Sequence, residues 1–367
     1  MPPHLCPTNT SLSELHLTGI PGLQHLHLWI SIPFCLLYLI TLAGNSTLLC
    51  VIKADPTLRL PMFFFLSMLS VIDLVMSTSI TPNMLNIFWF HSTAISLDAC
   101  LTQMYFVHAS SAIESGVLVA MALDRYVAVC NPLRYLSILT RPVVAALGLA
   151  TLLRGVVFMS PLTFQIRRLP LCSPAVVNHS YCEHMAVLKL SCRDTDFSNT
   201  YSLSVSTYVG TFDSLLIVLS YAFILRAVLG LSSSQARKKA FSTCSSHLCI
   251  MSLFYIPGLL SMYIQRYHLE LPPHVPVLLA NLYLLIPPAF NPLIYGIRTK
   301  QIRDAARRVI YWRRPMVGGI EPGLQRTGLG FVKTKSIPRM AKTSDGPWCG
   351  SQGAFRAADA PGNVGGH

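Results

Sequence analysis

Met121-Ala-Leu-Asp124-Arg125-Tyr126-Val-Ala-Val-Cys-Asn-Pro-Leu-Arg134-Tyr135 sets an acid and a base side by side where a long apolar run, 100–129, comes to an end. A charged pair at such a boundary is poised between lipid and water. It can hold a helix bundle shut or let it open, which is switch chemistry rather than bond-making chemistry. Six further apolar blocks lie outward from it, near 28–52, 61–88, 143–164, 200–226, 240–263 and 275–297. Each meets the roughly 20 residues that a helix needs to cross about 30 Å of hydrocarbon. Lipid offers backbone amides no water partner, so a spanning segment is a helix or part of a closed barrel. These blocks are too long for barrel strands. The sequence therefore predicts an all-α membrane protein, a bundle of seven transmembrane helices.

Composition agrees. Of 367 residues, 52% are hydrophobic and only 12% charged, whereas a soluble domain carries about 25% charged residues. A soluble enzyme is excluded on that ground. Lys and Arg set the orientation. They are absent from 1–27 and 90–99, but Lys53, Arg59, Arg134, Arg141, Arg226, Arg237, Lys238 and Lys239 fall in the alternate connections. Arg298, Lys300, Arg303, Arg307 and Arg308 follow the last span. The N-terminus is expected outside and the C-terminus in the cytoplasm, at the plasma membrane. One loop runs against the rule: 165–199 holds Arg167, Arg168, Lys189 and Arg193, along with Glu183, Asp194 and Asp196. The net charge of +13 is mostly this bias plus a basic tail. It points to lipid head groups and an acidic partner rather than to nucleic acid. No removable signal peptide is evident, so the first helix is expected to do the targeting.

The chain divides into an extracellular arm (1–27), the seven-span domain (28–297), a cytoplasmic amphipathic helix (298–314) and a tail (315–367). In the amphipathic helix Ile302, Ala305, Ala306, Val309 and Ile310 repeat at helical spacing, as in a helix lying on a membrane. The tail is rich in Gly, Pro, Ser and Lys without apolar periodicity, which reads as disorder.

Four of the eleven cysteines, Cys100, Cys172, Cys182 and Cys192, fall outside, where an oxidising compartment favours bridges. Three pairings are open on sequence alone. Cys6 is outside with no evident partner. Asn9-Thr-Ser and Asn178-His-Ser are glycosylation acceptors, and Asn9 on the free arm is the favoured one.

Ionisable groups inside a spanning helix are costly and mark function. Asp73 in the second span and Glu114 in the third fall near one depth. Two close carboxylates repel unless a proton or cation sits between them, so the pair reads as a site for a sodium ion or a proton. No other cofactor or metal is expected. His108 lies about 12 Å below Cys100 at the helical rise, and Arg266 ends the sixth span. Arginine presents a planar fork suited to a carboxylate. With Tyr105, Ser111 and Met262 near them, they form a candidate small-molecule site. Phe106, Ser110, Tyr208 and Tyr263 run nearby. Arg154 and Asp213 are intramembrane too, and could pair, although a depth reckoning sets them about two turns of 5.4 Å apart. In Asn291-Pro292-Leu-Ile-Tyr295 proline removes a backbone donor. Asn291 is expected to bond the carbonyl so freed, and Tyr295 to face the bundle, making a hinge.

These residues together resemble a known family. Asn45, Asp73, Asp124-Arg125-Tyr126 and Asn291-Pro292-x-x-Tyr295 are similar to the marks of rhodopsin-like G-protein-coupled receptors. Pro61-Met-Phe-Phe-Phe-Leu, Met121-Ala-Leu-Asp-Arg-Tyr, Ser220-Tyr221 and Lys239-Ala-Phe-Ser-Thr-Cys-Ser-Ser-His247 resemble odorant receptors. His179-Ser-Tyr-Cys-Glu-His184 and Thr299-Lys-Gln-Ile-Arg303 look like their fish-like class I branch, and the likeness covers about 18–312. The resemblance implies an odorant ligand, a stimulatory olfactory G protein and cyclic AMP as output. It implies bridges Cys100–Cys182 and Cys172–Cys192. It matches His108 and Arg266 to residues that contact short carboxylic acids in related receptors, and Asp73 and Glu114 to a cation pair. Two departures stand out: Leu123 replaces a tyrosine in the third-span motif, and Met262 replaces a serine one turn before the arginine, with Ser261 adjacent. A metabolite-sensing receptor outside the nose is the alternative within the family. A transporter would need inverted repeats, and an enzyme a nucleophile–base pair or metal ligands; the sequence has neither pattern.

Overall fold

The computed structural model of the protein describes residues 14–172, 174–230, 233–266 and 271–312. The first part of the arm with Cys6 and Asn9, the tail, and the side chains of Lys239 and Arg266 lie outside the described residues. Seven long helices make the bundle: α1 (His27–Ala54), α2 (Pro61–Phe90), α3 (Leu97–Cys130), α4 (Arg141–Arg167), α5 (Asp196–Leu229), α6 (Ser234–Arg266) and α7 (His274–Arg298). Each carries a stretch long and apolar enough to cross a membrane. An eighth helix, α8 (Lys300–Trp312), follows an extended residue at Thr299.

The helix starts have local causes. Pro61 and Pro142 sit in the first turns of α2 and α4, where a missing N–H costs nothing. The Ser96 side chain accepts from the Ala99 amide and caps α3, satisfying a donor that the first turn leaves free. At its other end α2 stops on His91, whose φ of 54° is left-handed.

α3 is the axis of the bundle: 67% of its apolar stretch is buried, against 22% in α1, α4 and α5. Apolar side chains gain little by leaving lipid for protein, so close approach at small residues carries the packing. Ile113 of α3 sits so near Gly155 of α4 that an added Cβ would lie 2.4 Å from its Cγ1. α1 and α7 meet at Gly44, where a Cβ would be 2.7 Å from the Pro292 ring. That contact explains a departure from expectation. The carbonyl freed by Pro292 is that of Pro288, four residues back, and Asn45 of α1 donates to it at 3.0 Å. Asn291 instead turns its amide to Asp73, at 3.1 and 3.2 Å from the two carboxylate oxygens.

One end of the bundle carries both disulfides, Cys100–Cys182 and Cys172–Cys192, as the resemblance implied. There β1 (Glu14–Leu17) lies between β2 (Ala94–Ser96) and β3 (Val176–Val177), antiparallel to the first and parallel to the second. These strands add to the all-helical reading of the sequence. Leu15 and Leu17 are buried while Glu14 and His16 are exposed, the two-residue period of a half-buried strand. Beyond β1, Gly19 has φ +76°, and a Cβ there would strike the His27 ring at 2.5 Å. That ring accepts the Ile20 amide at 3.1 Å.

At the opposite end α8 turns Ile302 and Ala305 into the core. Arg308 donates to Asp55 at 2.9 and 2.7 Å. The Thr57 hydroxyl and amide, and then Arg308, hold the Asp55 carboxyl down at about 2. The amphipathic helix is thus pinned to the α1–α2 turn.

Gly155→Ala is expected to destabilise the bundle by about 1–3 kcal/mol through overpacking. Gly296→Ala, which meets nothing within 4 Å, should be neutral or gain up to about 1 kcal/mol of helix propensity. Thermal unfolding of the two purified variants tests the contrast.

Candidate ligand cavity and switch

Below the disulfide end, α3, α5, α6 and α7 diverge around a cavity of about 220 Å³. Clefts for drug-sized ligands run about 300–1,000 Å³, so this one suits a small molecule. Its floor is polar: Ser111, Ser115, Tyr255 and Tyr283 all line it. Its walls are mostly apolar, with Val107, Met159 and Leu259 among them.

Three of the five proposed ligand contacts meet here: His108, Ser111 and Met262. The buried Nε2 of His108 has no hydrogen-bond partner among the described residues. Ser261, beside Met262, also lines the space. Tyr105 does not; it lies in a separate groove between α3 and α4. Phe106, Tyr208 and Tyr263 are exposed on the outer surface. The backbone of Arg266 closes α6, but its side chain lies outside the described residues.

The roof comes from the long loop between α4 and α5, which the sequence reading left out of the site. Tyr181, Glu183, His184 and Met185 line the cavity, and the His184 ring meets that of His108 edge to face, 6.2 Å between centroids. The bridge from Cys182 to the first turn of α3 was the signal, because it drags its neighbours over the mouth. The loop is fixed further by Gln103, which accepts the Cys182 amide and donates to Ser79, both at 2.8 Å. Ser180 and Asn281 of α7 exchange bonds of 2.9 and 2.8 Å. Within this roof His179 is buried, packed against Tyr181 with 4.3 Å between ring centroids, and neither ring nitrogen has a partner among the described residues. Burial pushes its pKa down to about 3.

Under the floor lies a charged knot. Arg154 donates to Asp213 at 2.8 Å and to the Ala112 carbonyl at 2.6 Å. Ser115 donates to the other Asp213 oxygen at 2.5 Å and meets the Tyr255 hydroxyl at 2.7 Å. Four helices, α3 to α6, are joined in one group. Gly116 makes room for the guanidinium, since a Cβ there would lie 2.9 Å from it. The depth reckoning that parted Arg154 from Asp213 assumed straight, upright helices. In fact α5 widens into a π-helical turn over Tyr208–Phe212, just before Asp213. Such a turn changes which face the residues after it present, and spanning helices tilt by about 20°, so counting residues does not fix their relative depth.

Between α2 and α3, Asp73 and Glu114 are both buried, close enough to repel, and Asn291 reaches both carboxyls. One Glu114 oxygen has no partner among the described residues. At the end opposite the disulfides Arg125 is paired with Asp124, its Nε donating at 2.9 Å. Tyr135 donates to the second Asp124 oxygen at 2.6 Å. Tyr126 packs beside them against Phe223, 6.0 Å between ring centroids. Tyr295 of α7 is fully buried, its hydroxyl 3.3 Å from Nδ1 of His247 in α6. In this arrangement α3, α6 and α7 are tied together and Arg125 is held by its own neighbour.

A seven-helix bundle with a roofed cavity at one end and a paired Asp-Arg-Tyr at the other defines a receptor of the rhodopsin type. The crystal structure of squid rhodopsin superposes with a TM-score of 0.64, covering 79% of this chain and 86% of that one at 15% identity. The sequence model described as Olfactory receptor matches residues 34–313. Human Olfactory receptor 52K2 is 52% identical over 298 residues, 81% of this chain and 95% of its own length. Human Olfactory receptor 52R1 is 54% identical over 288 residues, 78% of this chain and 91% of its own length. The chain belongs to the olfactory receptor family, and so is a receptor rather than an enzyme.

Asp213→Asn should cost about 3–5 kcal/mol, because Arg154 is left buried without its counter-charge. Replacing both, Asp213→Leu with Arg154→Met, should restore much of the loss, as read by thermal unfolding in a double-mutant cycle. His179 gives a pH dependence. Unfolded it takes up a proton near 6.5, folded only near 3, so its contribution to stability is lost as pH falls through that window. His179→Phe should lower the melting temperature less than wild type does between pH 7.5 and pH 5.

Proposed function

We propose that the cavity beneath the loop receives a small volatile or short-chain organic molecule, with short carboxylic acids among the candidates. The receptor then activates a stimulatory olfactory G protein and raises cyclic AMP. The observation that carries this reading is the shared floor. Ser111, Ser115, Tyr255 and Tyr283, which a ligand would touch, are members of the polar links that join α3 to α5, α6 and α7. In this reading the disulfide end faces outside and the end carrying Arg125 and α8 faces the cytoplasm of a cell whose plasma membrane the chain spans. The lysine and arginine bias and the oxidised cysteines support that orientation.

His108 offers a ligand oxygen an unused ring nitrogen, and Arg266 supplies the counter-charge for an acid. Ser111 and Met262 fit its body, while Tyr105 acts only from behind, through packing against the buried cluster of Ala109, Ala112, Met159, Leu162 and Val205. Asp73 and Glu114, with Asn291, hold a sodium ion or share a proton in the resting state. The two bundle states interconvert, and the ligand favours the one it binds better. Its contacts with Ser261 and Met262 draw the outer half of α6 inward about Pro257. The inner half, near Lys238, then swings out, the Tyr295–His247 contact breaks, and Arg125 leaves Asp124 to meet the G protein. Moving from 1% to 99% active takes about 5.5 kcal/mol of differential affinity. Few contacts fit in so small a space, so partial activation and modest potency follow.

A cyclic AMP reporter screen in cells, against acids, alcohols and esters, tests this. Arg266→Ala should abolish responses to acids while surface expression is kept. His108→Ala should raise the half-maximal concentration about tenfold or more, the loss of one charged hydrogen bond. Arg125→Ala should silence every agonist. Acid responses that survive Arg266→Ala unaltered would remove the anchor assignment.

A further inference from the structure

The outer turns of α3 and α4 enclose a second groove, of about 480 Å³, that the odorant reading does not use. Asp98, Leu101 and Tyr105 line it from α3, and Ser160, Phe164 and Arg167 from α4. Each set follows one helix face at i, i+3 and i+7 or its reverse, so the groove runs about 10 Å along the helices from the membrane boundary at 1.5 Å per residue. It opens away from the bundle core. Its neighbours Phe106 and Val157 are 44% and 60% exposed within the apolar spans, so the surface it belongs to faces lipid.

We propose that this groove is a site for a membrane sterol, whose ring body lies against Leu101, Tyr105 and Phe164 and whose hydroxyl bridges Asp98 and Arg167. The two charges stand 3.2 Å apart and are 74% and 64% exposed. Each keeps unused hydrogen-bonding capacity, the carboxylate as acceptor and the guanidinium as donor. One hydroxyl donates to the first and accepts from the second without parting them. An anionic head group satisfies Arg167 but meets Asp98 as a like charge, and a choline group has the reverse fault. Deeper in, the hydroxyls of Ser160, Thr102 and Thr163 already donate to backbone carbonyls of their own helices. With those hydroxyls engaged as donors, the faces left for contact are Leu101, Tyr105 and Phe164, which suit an apolar body, and a rigid ring system loses less freedom on binding than two flexible chains. Phe164 is itself held in place by Arg168, stacked 4.1 Å from its ring centroid. Two of the four basic residues that run against the charge bias in the 165–199 loop, Arg167 and Arg168, thus have a role at this groove. The site faces lipid whichever way the chain is inserted, so it stands apart from the odorant reading.

The experiment is photolabelling of the full-length receptor in cell membranes with a clickable diazirine cholesterol, with labelled peptides mapped by mass spectrometry. Labelling should concentrate on residues 97–106 and 157–168, and excess cholesterol should compete it while its 3α-hydroxyl epimer does not. Arg167→Gln, at an exposed position, should lower that labelling about tenfold, as for loss of a hydrogen bond to a charged group. Ser160→Phe, which fills the groove, should do the same. Surface expression measured by flow cytometry reports that each variant folds. Labelling spread evenly around the bundle, labelling unchanged in both variants, or capture of a diazirine phospholipid at these peptides with competition by phospholipid alone would overturn the proposal.

Discussion

A polar side chain inside hydrocarbon has to find its partner on another helix, and in this protein most of those partners meet along α3. Ser111 reaches α7 through Tyr283. Ser115 reaches α5 and α6 through Asp213 and Tyr255, and the Ala112 carbonyl takes the α4 arginine. Glu114 faces the α2 acid, and Asp124 holds Arg125. No helix can leave its place without exposing a buried donor, acceptor or charge. Such networks have few satisfied arrangements, so the bundle changes state by exchanging partners rather than by bending freely.

The position of the cavity follows from the same constraint. Its roof is a loop stapled to α3 by Cys100–Cys182, and its floor is the top of the polar network. A molecule in the cavity is within contact of Tyr255, and Tyr255 is one hydroxyl away from the Arg154–Asp213 pair. The helix carrying Tyr255 also carries His247, which holds Tyr295. One helix therefore senses the cavity and bears on the contact next to Arg125: Tyr255 and His247 share the segment before Pro257, while Leu259, Ser261 and Met262 line the cavity from beyond it, where the helix can bend.

Much of this could be read from the chain. Span length gave the seven helices, because the thickness of the bilayer sets it. Asp73, Glu114 and the Asp124-Arg125 pair stood out because charge is so rare in such segments. What escaped has physical reasons. The β1 strand is four residues whose Glu-Leu-His-Leu alternation was overshadowed by longer apolar runs. Asn45 rather than Asn291 answers the Pro288 carbonyl because α1 comes unusually close at Gly44, a tertiary fact that no local pattern carries. Arg154 and Asp213 pair although residue counting set them apart, because counting fixes neither the tilt of a helix nor the face it presents, and nothing in Tyr-Val-Gly-Thr-Phe announces the π-helical turn before Asp213. Tyr105 misled because a shared helix does not mean a shared face: it lies three residues before His108, yet opens onto the α3–α4 groove.

The most direct measurement is the distance between the ends of α3 and α6 that lie away from the disulfides, read by electron spin resonance. Labels would be placed at Leu133, 93% exposed, and at Lys238, also exposed. An agonist should populate a second, longer distance, and filling the cavity by Leu259→Trp, at a lining position, should remove that shift. A single unchanged distance in receptor that is agonist-bound and driving nucleotide exchange would contradict the link between the cavity and the Asp124–Arg125 switch.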